Sequence, residues 1–276
     1  MFTIRPSGSR HAVLTTLRGE LRISVLDVGQ GDGILIETPA GKTVLIDAGT
    51  SQSQTLAQLQ KHKISQLALA VATHPHADHI GGMAAILKAI PVARFLDSGR
   101  IYSSSTYEKM LQTIQTKKVA FTKAQRGQTI EIDEVKLEVL NPGKDFIEAV
   151  GSGRSVENAN SVVIRLVYGK FSMLFTGDAE FETEAQMMKA AGELSSTILK
   201  IGHHGSRHAT SGKFLEMVNP EAAIISCAKD NDYGHPTAET LNRLAKIKTY
   251  RTDMSGEITI TSDGNTYKIV SQDSQK

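Results

Sequence analysis

Three histidines and an aspartate fall within six positions of the segment THPHADHIGG, residues 73–82: His74, His76, Asp78 and His79. They follow directly on the apolar run LALAVA. One histidine ending a buried strand is ordinarily a satisfied core residue. Four such groups together leave more polar atoms than a strand end can pair without a shared cation. The spacing also divides them. His74 and His76 can serve one ion, and Asp78 and His79 a second one beside it, as two-metal hydrolases require.

Two later segments offer further ligands. Asp178 closes the apolar run of MLFTGDAE, where a carboxylate can bridge two cations or, because DAEFETEA follows, cap a helix. LKIGHHGSRH supplies His203 and His204 with glycines on both sides for close backbone approach. Spacing does not choose between the pair. His204, beside Gly205, is the preferred ligand, which leaves His203 for substrate or a bound hydroxide. His208 reads as a surface residue. Ser206 lacks the GxSxG elbow of a serine nucleophile and reads as a turn residue.

These residues need strand ends and turns to carry them. RISVLDVG, GILIETPAGKTVLIDAG and LALAVATH read as strands, the second a hairpin turning at Pro39 to Gly41. Helical periodicity appears in SQSQTLAQLQKH, IGGMAAILKAI and STYEKMLQTIQ. The aperiodic stretch Asp145 to Asn160 reads as a loop between two halves. Beyond it, VVIRLVYGKFSMLFTGDA repeats the pattern of ILIETPAGKTVLIDAG: strand, GK turn, strand, then an aspartate beside glycine. Asp47 and Asp178 take matching places. The repeat predicts a pseudo-two-fold α/β sandwich of two sheets with helices outside, in one domain over residues 21–270 with polar tails at 1–20 and 271–276.

Composition agrees with a folded enzyme-sized domain: 276 residues, 40% hydrophobic and 22% charged. The net charge of +2 argues neither for nor against a nucleic-acid partner. The single cysteine, Cys227 in AIISCA, excludes an internal disulfide and a multi-thiolate zinc site, and reads as a buried strand residue. No apolar run is long enough to span a membrane, and the N-terminal stretch lacks a signal-peptide core. The sequence as it stands therefore predicts a soluble cytoplasmic chain. Within a longer membrane protein, the same domain is expected outside the cytoplasm.

LDVGQGDGILI, LIDAG, THPHADHIGG, NANSVVIRL, LFTGDAE, LKIGHHGS and YGHPT occur in that order. Together they resemble the metallo-β-lactamase superfamily, and most closely the nuclease-like domain of ComEC-type competence (DNA-uptake) proteins. The resemblance implies a four-layer αββα sandwich. It implies metal-ligand positions at His74, His76, Asp78, His79, Asp178 and one of His203 and His204, with Asp47 bracing the ligand loop. It also implies two divalent ions, Zn or Mn, a hydroxide held between them, and hydrolysis of a phosphodiester, above all in DNA. The alternatives are hydrolysis of a small ester or phosphodiester, such as a phosphocholine ester, nucleotide or lactone, and a catalytically idle interaction module.

The chain departs from the wider superfamily in having no histidine from Ile80 to Gly202. An Asn-Ser motif stands there instead, so Asn160 and Ser161 become substrate-binding candidates and the first metal site is expected to be the weaker one. His235 in YGHPT is the candidate for binding phosphate or protonating the leaving oxygen. Asp78 and His203 complete the expected catalytic group. Lys200 is a substrate contact at the rim, with Gln30 and Asp32 as structural support. An oxygen-reducing di-iron reading is disfavoured, since His76 stands where that branch carries an acidic ligand.

Overall fold

The computed structural model describes residues 19–272 apart from position 191. The first half supplies β1 (Leu21–Val25), β2 (Ile34–Glu37), β3 (Thr43–Ile46), α1 (Gln54–Lys61), β4 (Leu69–Val71), α2 (Ala77–Ile80), α3 (Met83–Ala89), β5 (Arg94–Asp97), α4 (Ser105–Lys117) and β6 (Ala120–Lys123). The second supplies β7 (Thr129–Ile132), β8 (Val135–Asn141), α5 (Val156–Ala159), β9 (Val163–Tyr168), β10 (Phe171–Phe175), α6 (Phe181–Lys189) and β11 (Ile198–Lys200). It continues with α7 (Gly212–Val218), β12 (Ala222–Ile225), α8 (Ala238–Arg243), β13 (Lys248–Arg251), α9 (Thr252–Ser255), β14 (Ile258–Ser262) and β15 (Tyr267–Ser271).

Two mixed sheets result, ordered β15-β14-β1-β2-β3-β4-β5-β6 and β13-β12-β11-β10-β9-β8-β7. The expected repeat is visible in their pairing. Hairpin β2-β3 continues through parallel β4, β5 and β6, and hairpin β9-β10 continues through parallel β11, β12 and β13. The sheets stack because their strands are apolar on both faces. Val44 and Ile46 of β3 join Met173 and Phe175 of β10 between the sheets, whereas Leu45 and Leu174 point outward beneath helices. Met83, Ile86 and Leu87 of α3 pack with Tyr107, Met110 and Ile114 of α4 on one outer face. Phe214 and Val218 of α7 do the same on the other. Each such buried side chain contributes about 1.5–3 kcal/mol. The architecture is the expected αββα sandwich.

One boundary differs from the sequence reading. The chain passes from the first sheet to the second between β6 and β7, so the stretch Asp145 to Asn160 lies within the second half, between β8 and β9. It also contains α5, whose N-cap Ser155 accepts hydrogen bonds from the Glu157 and Asn158 amides. A four-residue helix is too short for periodicity to reveal. Of the expected tails, residues 1–18 and 273–276 lie outside the described residues, and β15 runs on to Ser271. Among the described residues, no helix is long and apolar enough to cross a membrane.

Candidate metal centre

The chemistry-bearing segments leave the C-terminal ends of equivalent strands: Thr73 to His79 after β4, and His203 and His204 after β11. Asp47 and Asp178 follow the two hairpins. The DVGQGD segment packs under the ligand loop, where the Asp32 amide donates to the Asp78 carbonyl at 3.3 Å. Gly31 is obligatory there: a Cβ on it would stand 2.1 Å from that same carbonyl, and its φ is +132°. His203 and His204 both adopt left-handed backbone, with φ of 46° and 53°. Such strain in two consecutive residues without glycine persists only where surrounding contacts enforce it. It brings both imidazoles of adjacent residues toward Asp178.

Asp78, His79, Asp178 and His204 converge as one group. His79 Nε2 lies 3.2 Å from His204 Nε2, 3.2 Å from Asp178 Oδ1 and 3.7 Å from Asp78 Oδ2. His204 Nε2 lies 3.3 Å from Asp78 Oδ2 and 3.5 Å from Asp178 Oδ1. Four donors about 2.1 Å from one tetrahedral ion stand about 3.4 Å apart, so these separations suit a shared cation. The second oxygen of Asp178 faces another group. His74 Nε2 is 3.1 Å from His76 Nδ1 and 3.7 Å from Asp178 Oδ2, and His203 Nε2 is also 3.7 Å from Asp178 Oδ2.

Outer contacts aim these rings. The His79 Nδ1–H donates to Asp47 Oδ2 at 2.8 Å, leaving Nε2 free. Asp47 is itself held by the Thr73 amide and hydroxyl at 2.8 and 2.7 Å. The His204 Nδ1–H donates to the Ser226 carbonyl at 2.9 Å, and the His203 Nδ1–H to Glu180 at 3.0 Å. A partner on one ring nitrogen fixes the tautomer that presents the other as a ligand.

Electrostatics agree that the group is built for positive charge. Burial alone would raise the Asp178 carboxyl and strip the proton from His79. Instead, His79, His204 and His203 hold Asp178 well below the usual carboxylate range, while Asp178, Asp78 and Asp47 hold His79 well above the usual histidine value. Burial, aided by the charge on His79, pushes His74 well down and keeps it neutral, the form that ligates. Asp178 Oδ1 is buried without a hydrogen-bond partner, an oxygen that a divalent cation would satisfy. The residues fit a divalent ion.

A model of the metallo-beta-lactamase superfamily matches residues 26–229. The chain belongs to the metallo-beta-lactamase superfamily. It is 31% identical over 263 residues to ComE operon protein 3 of Bacillus subtilis (strain 168), covering 88% of this chain and 33% of the relative. It is 33% identical over 247 residues to competence protein ComA of Neisseria gonorrhoeae, covering 87% and 32%. The chain thus spans about a third of the length of these curated relatives. Among solved structures, the metallo-beta-lactamase fold protein YhfI from Bacillus subtilis is similar with a TM-score of 0.58 at 10% identity, covering 88% of this chain and all (100%) of that one. CmlA, a diiron beta-hydroxylase from Streptomyces venezuelae, has a TM-score of 0.57 at 14% identity, covering 90% and 54%. At these identities the likeness shows the fold alone.

Around this superfamily centre, a cleft of about 620 Å³ exposes His76, Asp78, Asp178, His203, His204 and His235. His235 stands 5.3 Å from His203 between ring centroids, has a buried Nδ1 without a partner, and is pushed down to about 4 by burial, His203 and His204. Gln30 reaches the cleft too, its Oε1 accepting from the Ala228 amide and its Nε2 buried without a partner.

Three expected substrate contacts are corrected. Asn160 is wholly occupied by backbone: Oδ1 accepts from the Ile147 amide, and Nδ2 donates to the Ile147 and Val156 carbonyls. Asn158 lines the cleft instead, with Oδ1 buried and unpartnered. Ser161 is buried, and its Oγ accepts from the Asp178 amide, so it braces Asp178 and does not line the cleft. Lys200 is 0% exposed and pairs with Asp32 at 3.0 Å beneath the site. Lys200 is thus buried against Asp32 and does not stand at the rim. Ser206 is a buried turn residue whose Oγ accepts from the His208 amide.

Sequence reasoning missed Glu180. It occupies the N-cap position of α6 that was weighed for Asp178, yet makes no cap and is buried against His203. Its only sequence signal was a second acid two residues past a candidate ligand.

Proposed function

We propose that this domain is a metal-dependent phosphodiesterase acting on DNA. One divalent ion, Zn or Mn, would be held by Asp78, His79, Asp178 and His204. A second would be held by His74, His76 and the other oxygen of Asp178, with His203 beside it. Two such ions, when bound, activate water and neutralise the phosphodiester during in-line displacement. The observation that carries this reading is the single carboxylate of Asp178, turned with one oxygen toward each histidine group. Mixed imidazole and carboxylate donors suit either metal.

The chain's own residues then have separate tasks. Asp47 and the Ser226 carbonyl hold His79 and His204 in the ligating tautomer. Glu180 does so for His203. Neutral His235 lines the cleft beside His203, placed to hydrogen-bond a phosphoryl or leaving oxygen. Asn158 and Gln30 offer further polar atoms on the same walls. The convergence of Asp78, His79, Asp178 and His204 speaks against a catalytically idle interaction module, although one superfamily histidine is replaced. DNA as substrate is supported by similarity to competence proteins.

A second reading, hydrolysis of a small phosphodiester or other ester, draws on one observation: among the described residues, the cleft walls carry no lysine or arginine. The test is to load the purified chain with Mn or Zn and assay single-stranded DNA and bis(p-nitrophenyl) phosphate. Metal-dependent cleavage of both, abolished by Asp78→Ala, is expected. Turnover of the small diester with none of DNA would favour the second reading, and full activity after chelation would overturn both.

A further inference from the structure

The cleft does not end at its own walls. Thr50, Ala77 and Thr106 also line a neighbouring depression of about 330 Å³, which reaches Lys109 on α4. Lys109 opens onto a second depression of about 220 Å³ bordered by Lys88 and Lys117. Those two lysines in turn border a third, of about 350 Å³, running past the end of α3. Each depression shares residues with the next, so a continuous shallow track leads from the candidate metal centre along α4.

Resting on the DNA-directed reading above, we propose that this track binds the phosphodiester backbone of single-stranded nucleic acid, through Lys109, Lys88 and Lys117. All three are exposed, and none has an acidic partner within ion-pair distance among the described residues. Lys117 Nζ rests 3.1 Å from the Lys88 carbonyl, which ties the two helix ends into one patch. Compensation of helix dipoles accounts for Lys88 and Lys117 in last turns. It does not account for Lys109 in the second turn of α4.

Charge along the chain points the same way. From His79 to Ile130 there are eight Lys and Arg residues against two Asp and Glu, although the whole chain carries only +2. One of the two acids, Asp97, is buried. The near-neutral total hides an excess of cations in this segment, beside a cleft whose walls carry Asp78 and Asp178 but, among the described residues, no lysine or arginine. Lys109 and Lys117 are eight residues apart on one helix, about 12 Å, which spans three to four phosphates of a stacked strand at about 3.4 Å each.

A single strand is favoured over duplex by the aromatic walls. Tyr102 stands 5.9 Å from the His76 ring, and Tyr233, 69% exposed, stacks 5.8 Å from His235. They sit in loops from opposite sheets, after β5 and after β12. Cationic grooves with aromatic platforms are the usual means of holding unpaired bases.

The test is fluorescence anisotropy of a labelled single-stranded oligonucleotide over a salt series, with metal-free protein so that binding is read apart from cleavage. Lys88→Glu/Lys109→Glu/Lys117→Glu is compared with Lys189→Glu/Lys213→Glu/Lys246→Glu, which makes the same charge change on the other sheet's side. The track variant is expected to bind at least about tenfold more weakly, with a log–log salt slope reduced by about 2, since each phosphate contact contributes about 0.7. The control variant should stay within about twofold of the parent. In the loaded protein, the ratio of DNA to bis(p-nitrophenyl) phosphate turnover should fall in step. Equal losses in both variants, or none in either, would overturn the track, as would equal loss of duplex and single-strand binding for its single-strand preference. Lysine-dependent binding without any cleavage would overturn the nuclease reading and leave the track standing.

Discussion

Asp97 and Asp178 are both buried near the C-terminal ends of strands, and each has one oxygen without a hydrogen-bond partner. Their carboxyls move in opposite directions. Asp97, at the end of β5, is pushed up to about 6 by burial, against hydrogen bonds from the Gly99 amide and the Tyr107 hydroxyl. Asp178 is held well below the ordinary value although burial acts on it in the same sense, because His79, His204 and His203 surround it. Burial is common to both, so the imidazoles make the difference. Asp97 is a carboxyl tolerated by the fold. Asp178 is one whose charge the fold has prepared for.

The largest effect that should sharpen this contrast is Asp178→Asn, which keeps the shape and removes the charge. Metal content, measured by mass spectrometry after dialysis, should collapse, and turnover should fall beyond the roughly 100-fold of an outer-contact change. Lys200→Met comes next. It leaves Asp32 buried without its cation and should cost about 3–5 kcal/mol in urea unfolding, with no effect of a rim residue on KM.

Asp97→Asn should act oppositely and depend on pH. A carboxyl with a folded pKa of about 6, against 3.8 unfolded, binds more protons when folded between those values. It therefore stabilises below about 3.8, and that contribution is lost as pH rises through about 6. The metal-free variant should gain about 2 kcal/mol over the parent at pH 8 relative to pH 4, measured as the difference between their unfolding curves. An unchanged difference would show that burial does not hold the Asp97 carboxyl above its ordinary value.

Asp47→Asn, which can still accept from His79 but carries no charge, should weaken metal affinity about 10–100-fold in a chelator competition. The smallest contrast is between the two asparagines. Asn160→Ala should cost about 1–3 kcal/mol of stability by orphaning buried backbone groups. Asn158→Ala should instead raise KM with little change in stability.

Much of the fold was legible because β-strand periodicity and the repeated hairpin are local. The cluster at His74 to His79 was legible because its residues are contiguous. What remained hidden was side-chain direction. Asn158 and Asn160 flank one residue of α5, and only the path of that turn sends one to the cleft and the other to backbone groups. His203 and His204 both reach Asp178 through left-handed backbone that residue type does not announce. Lys200 read as a rim cation because it precedes the histidines, yet its place on inner strand β11 buries it against Asp32. The lysine track was invisible to net charge, since acids elsewhere in the chain cancel it.

The most direct measurement is metal stoichiometry. Chelator-stripped protein titrated with Mn or Zn by calorimetry should take up two ions per chain, the tighter one lost in His204→Ala, the weaker one lost in His76→Ala, and both lost in Asp178→Asn. One ion per chain in the parent, or uptake undiminished in Asp178→Asn, would contradict a centre built around that shared carboxylate.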